Sequence, residues 1–256
     1  MYNGRDGRPL HSNIAISMLV LALDTTTRTG SLALTRDAAV LEVREGDPSL
    51  THGRRLPGDI ISLLDRQHVT IADIDLYAVA AGPGSFTGLR IGIATMQGLA
   101  LVNRRGIVGV SALDALRVSV TAEGLAISAA NPGRPLVGTW IDAQRGEVFA
   151  ALYHDGALVD GPTAESPGVT LTRWAGLRRE RPIVFVGGGA LMHAAMIRSL
   201  GFGDARIIDP VPPLASAIAR LAEMQARAGA PTSPAALQPL YVRRPDPEIA
   251  RERARG

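Results

Sequence analysis

The chain has 256 residues, 46% of them hydrophobic and 20% charged, with a formal net charge of +3; this is a folding composition, enough for one large domain or two small ones, and its charge is too small to argue nucleic-acid binding. Cysteine and lysine are both absent, which removes disulfides, thiolate catalysis, cysteine-held zinc, Schiff-base chemistry and any phosphate loop that needs a lysine. No apolar run reaches the roughly 20 residues that span a bilayer, since the strongest candidate, 14–23, contains Ser17 and runs into Asp24.

Residues 1–17 are polar and basic without an apolar signal core, and read as a flexible extension with Met18 as the natural start. Short strands are expected at 19–23, 31–35 and 39–44, a helix at 50–67, a strand at 76–81, a helix at 89–102, a strand at 107–110 and a helix at 112–121. A connection rich in Gly and Pro, 123–135, follows. The plan then repeats, with strands at 136–141, 148–153 and 157–159, a weak helix at 171–177, a strand at 183–186, a helix at 190–200, a strand at 206–208 and a helix at 213–228. Each half opens on a strand that ends in aspartate, Asp24 and Asp142, and turns back through a hairpin. The expected fold is α/β: an N-terminal lobe, 18–122, and a C-terminal lobe, 136–243, each a mixed sheet flanked by helices, facing each other across a cleft. The tail 244–256 is expected to fray, apart from a short basic helix over 249–255.

The run Gly82-Pro83-Gly84-Ser85-Phe86-Thr87-Gly88-Leu89-Arg90-Ile91-Gly92 follows a strand and opens a helix, leaving the first helical N–H groups to meet an anion. With the first hairpin it defines a candidate nucleotide or anion set of Asp24, Thr25, Gly82, Gly84 and Ser85. The plainer reading is that Asp24 caps a turn while Thr25, Thr26 and Thr27 satisfy local backbone. A dinucleotide fingerprint does not fit, because Pro83 removes a donor and the strand after the helix ends in Ser111 where a ribose-binding acid belongs.

The helix after the glycines is apolar nearly all round, with Leu89, Ile91, Ile93, Met96, Leu99, Leu101 and Val102 pointing in nearly every direction, so packing on a single sheet leaves a second surface to be buried. Gly88 and Gly92 lie one turn apart, with Gln97 further along, and the preceding helix offers Leu56, Ile60, Leu63 and Leu64 at helical spacing. Together they suggest half of a four-helix contact with a partner; the alternative is that both helices pack only internally. A charge at Gly92 or Ile93 is expected to prevent such a complex while leaving the monomer folded. The histidines, His11, His52, His68, His154 and His193, include no pair at the one-turn spacing that holds a metal on a helix, so no metal site is expected. Arg251, Arg253 and Arg255 are the one candidate for direct RNA contact.

Duplicated lobes with an aspartate at the first hairpin resemble the ribonuclease H-like sugar kinase, Hsp70 and actin (ASKHA) superfamily. More specifically, Leu21-Ala22-Leu23-Asp24-Thr25-Thr26-Thr27, the 82–92 run, Val108-Gly109-Val110-Ser111-Ala112-Leu113-Asp114-Ala115-Leu116, Asp142-Ala143-Gln144-Arg145-Gly146-Glu147-Val148 and Gln238-Pro239-Leu240-Tyr241-Val242-Arg243 resemble the TsaB (YeaZ) family over 18–243. That resemblance implies a cytoplasmic, non-catalytic subunit that pairs with the TsaD transferase, with the TsaE ATPase joining, to place threonylcarbamoyl on adenosine 37 of tRNAs reading ANN codons. It implies a partner interface on the first-lobe helices, including His52, a homodimer when the partner is absent, tRNA met through the complex, and no cofactor beyond a nucleotide at the TsaD interface. The alternatives are an active ATPase or kinase of the same fold and, more distantly, a metallo-endopeptidase.

Overall fold

Every residue of the strand β1 (Leu19–Asp24) is buried, because both faces of its sheet are covered and each face selects its own side-chain size. Leu19, Leu21 and Leu23, with Tyr77 and Val79, point to one side; Val20 and Ala22, with Ala78 and Ala80, point to the other, where a closer layer needs smaller groups. The structure is a computed structural model that describes residues 17–122, 135–179, 181–230 and 233–243. The sequence readings for the leading segment before Ser17, for the connection before Pro135 and for the basic tail from 244 fall outside those residues.

In the first half, β2 (Ser31–Arg36), β3 (Ala39–Glu45), α1 (His52–Arg66), β4 (Leu76–Gly82), α2 (Phe86–Asn103), β5 (Gly106–Ser111) and α3 (Ala112–Ala122) follow β1. The second half runs through β6 (Leu136–Asp142), β7 (Val148–His154), β8 (Ala157–Glu165), α4 (Pro167–Arg178), β9 (Ile183–Val186), α5 (Gly188–Met192), α6 (Ala194–Ser199), β10 (Arg206–Ile207) and α7 (Ala215–Arg227). The first sheet has the order β3-β2-β1-β4-β5 and the second β10-β9-β6-β7-β8, which is the same order with β6 to β10 replacing β1 to β5. Each sheet opens with two antiparallel pairings and continues parallel. The two mixed-sheet lobes expected of the ribonuclease H-like class are present.

Several boundaries differ from the sequence reading for physical reasons. The strand expected to stop at 159 continues to Glu165, because Gly161 at φ +93° takes up a bulge against Ala150 and Leu152 that the Gly-Pro pair disguises as a turn. The weak helix at 171 begins at Pro167, whose fixed φ suits a first helical position. The helix expected over 190–200 is split at His193.

The C-terminal lobe boundaries at 136–243 also need correction. Helix α7 packs against β1, β2, β4 and β5, so it forms a layer of the first lobe although it follows the second in sequence. Ala217, Ile218 and Leu221 share one core with Val20, Ala78 and Val110, and with Ile141 and Phe149 of the second sheet. Its Glu223, buried, accepts from the backbone N–H of Ala38 at 2.7 Å and pairs with Arg227, a partnered buried charge rather than a bare one. After α7 the chain continues over the first lobe as an extended strap. Gln97 donates to the carbonyls of Pro234 and Leu237 at 2.7 and 3.1 Å, and Leu240 N–H donates to Ala81 O at 2.7 Å. Gly82 sits at φ +127°, and a Cβ there would stand 2.5 Å from Leu240 O, so a glycine is what lets the strap close on β4.

Candidate functional site

Between the lobes lies a cleft of about 820 Å³, whose walls include Asp24, Thr26, His52 and Ser85 from the first lobe and Ile141, Asp142 and Gly188 from the second. Asp24 ends β1 and is fully buried in its wall; its Oδ1 accepts from Thr26 N–H at 2.8 Å and from Thr26 Oγ1 at 2.7 Å. The turn-capping reading of this residue is therefore what the geometry shows. Burial pushes the Asp24 carboxyl above its usual range, against the lowering effects of the Thr26 hydrogen bonds and of the His52 and Arg55 charges. A raised carboxyl pKa means that the native state holds the proton more tightly, so this group's contribution falls as pH rises from 3.8 through the raised native value. Asp24→Asn keeps the acceptor oxygen and removes the buried charge. Its melting temperature at pH 7 is expected to rise by about 2–4 °C, the shift that 1 kcal/mol produces in a domain of this size, with a flatter acid limb; a drop in thermal melts at pH 7 would show that the charge is a structural asset.

Arg55, which the sequence reading passed over, organises the hairpin beside Asp24. It is buried on α1, donates to Thr29 O and to His52 Nδ1, and pairs with Asp59 at 2.7 Å. Because a guanidinium always donates, His52 Nδ1 accepts, and its Nε2–H donates to Thr27 O at 2.9 Å. Burial holds the His52 pKa below its usual value. The sequence signs of this arrangement are the His52–Arg55 and Arg55–Asp59 spacings on one helix face.

The residues named from sequence distribute unevenly. Asp24 and Ser85 line the cleft; Gly84 packs on Thr26, and Gly82 is taken up by the strap. Thr25 does not line the cleft. It lies beneath α2 with its Oγ1 buried and unpartnered, and a Cβ at Gly88 or Gly92 would collide with it. Ser85 caps α2, accepting from Gly88 N–H at 3.3 Å. Among the described residues, no three His, Cys, Asp or Glu side chains come together in a way that could hold a metal ion.

The interface set needs a larger correction. Leu56, Ile60, Leu63 and Leu64 of α1, and Ile93 and Met96 of α2, form the core beneath the first sheet, and Leu89 is 1% exposed. Burial of such side chains is worth about 1.5–3 kcal/mol each, so the monomer cannot release them to a partner. Gly88 and Gly92 give close approach to the β1–β2 turn, not to a foreign helix; Gln97 holds the strap and His52 the hairpin. A charge at Gly92 or Ile93 therefore strikes the fold itself.

The opposite side of the same two helices is what remains open. Gly53, Pro57 and Ile61 on α1, and Thr87, Ala94, Gly98, Leu101 and Val102 on α2, are exposed at helical spacing, with Ile61 at 60%, Leu101 at 56% and Val102 at 84%. The two helices contact each other, and these small and apolar groups stand among exposed charged ones, Arg54 and Asp65 on α1 and Arg90 on α2.

The family model for "TsaD: tRNA N6-adenosine threonylcarbamoyltransferase" matches residues 48–177. The chain is 30% identical over 242 residues to an uncharacterised protein of Mycobacterium tuberculosis (strain H37Rv), covering 92% of this chain and 96% of the other. It is 30% identical over 186 residues to the tRNA threonylcarbamoyladenosine biosynthesis protein TsaB of Bacillus subtilis, covering 72% of this chain and 76% of the other. A relative from Mycobacterium leprae is longer, and the chain spans 55% of it at 29% identity. Among solved structures, YeaZ from Pseudomonas aeruginosa superposes with a TM-score of 0.72 at 26% identity, covering 88% of this chain and 99% of the other.

Proposed function

The chain belongs to the TsaB (YeaZ) family, and from that premise we propose that it acts in tRNA threonylcarbamoyladenosine biosynthesis as the non-catalytic subunit that pairs with the TsaD transferase. The observation that carries the pairing is the set of exposed small and apolar groups on α1 and α2, Gly53, Ile61, Ala94, Gly98, Leu101 and Val102. A contiguous apolar helix surface in water favours association, and glycines at its centre let a second helix approach closely. Gly53, Gly58 and Gly98 all have open space where a Cβ would go. TsaD is a paralogue of the same fold, so equivalent helices on both chains would make a four-helix contact, and in the absence of TsaD the same surface pairs two copies of this chain. TsaE then joins the assembled pair, and tRNA is met through the complex in the cytoplasm. The TsaD interface is a further place for a nucleotide.

The division of labour is supported by Asp24, whose Oδ1 caps its own turn through Thr26. Reconstitution from purified subunits tests it. Threonylcarbamoyl transfer to tRNA is expected with TsaD, TsaE and this chain together, and is expected to fall at least tenfold when this chain is left out. ATP turnover by this chain alone, abolished by Asp24→Asn, would instead assign it an active site of its own.

A further inference from the structure

Beside the interlobe cleft is a smaller cavity of about 240 Å³, walled by Phe86, Leu89, Phe149, Leu240, Tyr241 and Val242. Its walls come from the start of α2, from β7 and from the strap, and specific bonds hold the strap in place. Leu240 N–H is tied to Ala81 O, and Arg243 pairs with Glu147 at 2.6 Å and donates to Ala143 O at 3.1 Å. One strap therefore grips both lobes and closes the cavity between its two anchor points.

The floor is aromatic. Phe86 and Tyr241 stack with centroids 5.6 Å apart at 29°, the Arg90 guanidinium lies 3.9 Å from the Phe86 centroid, and Arg90 Nε donates to Tyr241 OH at 3.3 Å. Tyr241 nevertheless stays 41% exposed, which leaves part of its ring open to a ligand. The polar groups collect at one rim, where Ser85, Asp142 and Gln144 line both this cavity and the cleft. An aromatic floor, a polar rim on one side and guanidinium groups at the edge match the π-face, the hydrogen-bonding edge and the phosphate of a nucleotide. An aliphatic side chain from a partner would leave the rim unused. The charge nearby also favours an anionic ligand: Arg243 and Glu147 neutralise each other, and Arg90 and Arg145 stand against Asp142.

We propose that this cavity holds a nucleobase stacked on the Phe86–Tyr241 pair, from a free nucleotide or from single-stranded RNA. It stands independently of the pairing with TsaD, since all of the walls come from this chain. The test uses the full chain carrying Tyr241→Trp as a reporter, with Trp140 and Trp174 as a buried background, titrated with AMP and with a short oligoadenylate. Saturable quenching by both probes is expected, weakened roughly tenfold by Phe86→Leu. Quenching by the oligonucleotide alone supports the same site and names RNA as the source. Arg90→Ala, an exposed change that leaves the core intact, is expected to weaken binding as well and serves if Phe86→Leu lowers the melting temperature. The proposal is overturned if neither probe quenches up to millimolar concentration, if both variants bind as tightly as the reporter chain, or if only added TsaD quenches, which would assign the cavity to a protein side chain.

Discussion

Gly88→Ala lowers the melting temperature by about 4–12 °C. In an exposed helix the same change is stabilising, because alanine exceeds glycine in helix propensity by about 1 kcal/mol. Gly88 lies in the first turn of α2 directly over the backbone carbonyl of Thr25, and a Cβ there falls well inside van der Waals distance of that oxygen, with Ser85 Cβ and Oγ only 3.3 Å away on the other side. The carbonyl has little freedom to withdraw. The next residue is tied to Asp24 through its N–H and hydroxyl, and its own carbonyl accepts from Ser85 N–H at 2.9 Å. Relief requires α2 to lift from the sheet, which opens the packing of Leu89, Ile93 and Met96 over β1 and β4. Overpacking of this kind costs about 1–3 kcal/mol, occasionally more, and a net loss of about 2–3 kcal/mol corresponds to the stated shift in a chain of this size. Differential scanning calorimetry checks it against Gly98→Ala, which stands in open space and should melt at or above the native chain. Equal melting of both variants would mean that α2 is seated less tightly than the geometry requires.

The glycines explain both how far the sequence could be read and where that reading stopped. Hydrophobic alternation and the repeated strand-Asp-hairpin pattern are local signals, and they placed the strands of both sheets and most of the helices. The run 82–92 also reads as a turn that opens a helix, as Ser85 capping α2 shows. What spacing could not reveal was which surface faced the sheet, because α2 is apolar on both sides, and Gly88 and Gly92 suit close approach to a turn of the same chain as well as to a foreign helix. The inward face won because the β1–β2 turn, which is remote in sequence, fills the space above those two glycines. Long-range partners caused the other omissions: Arg55 meets Thr29 only after α1 docks on the hairpin, and Tyr241 meets Phe86 only after the strap runs back past β4. The closing Gln238 to Arg243 run carried family resemblance but no periodicity, so its structural part was invisible until the fold returned it to β4.

Gly98→Arg separates partner binding from folding, which the buried positions cannot do. Its site on α2 is exposed, with nothing within 4 Å of a Cβ, and arginine is the better helix former by about 0.8–1 kcal/mol; the variant is therefore expected to melt at or slightly above the native temperature. Docking is another matter. Arginine at the centre of a close helix contact both blocks approach and carries a charge into an apolar, water-excluding surface beside Ala94, Leu101 and Val102, a site where losses of about 2 kcal/mol or more are typical. Affinity for TsaD should fall at least about thirtyfold, and the homodimer formed without TsaD should weaken in parallel because it uses the same surface. Titration calorimetry with TsaD and light scattering of the chain alone read the two effects, with a thermal melt as the control. Gly92→Arg is expected to fail the melt first, since its side chain would enter the space filled by Thr25. A Gly98→Arg chain that binds TsaD with native affinity would remove the α1–α2 surface from consideration. A loss of TsaD binding with the homodimer intact would instead show that self-association uses a different face.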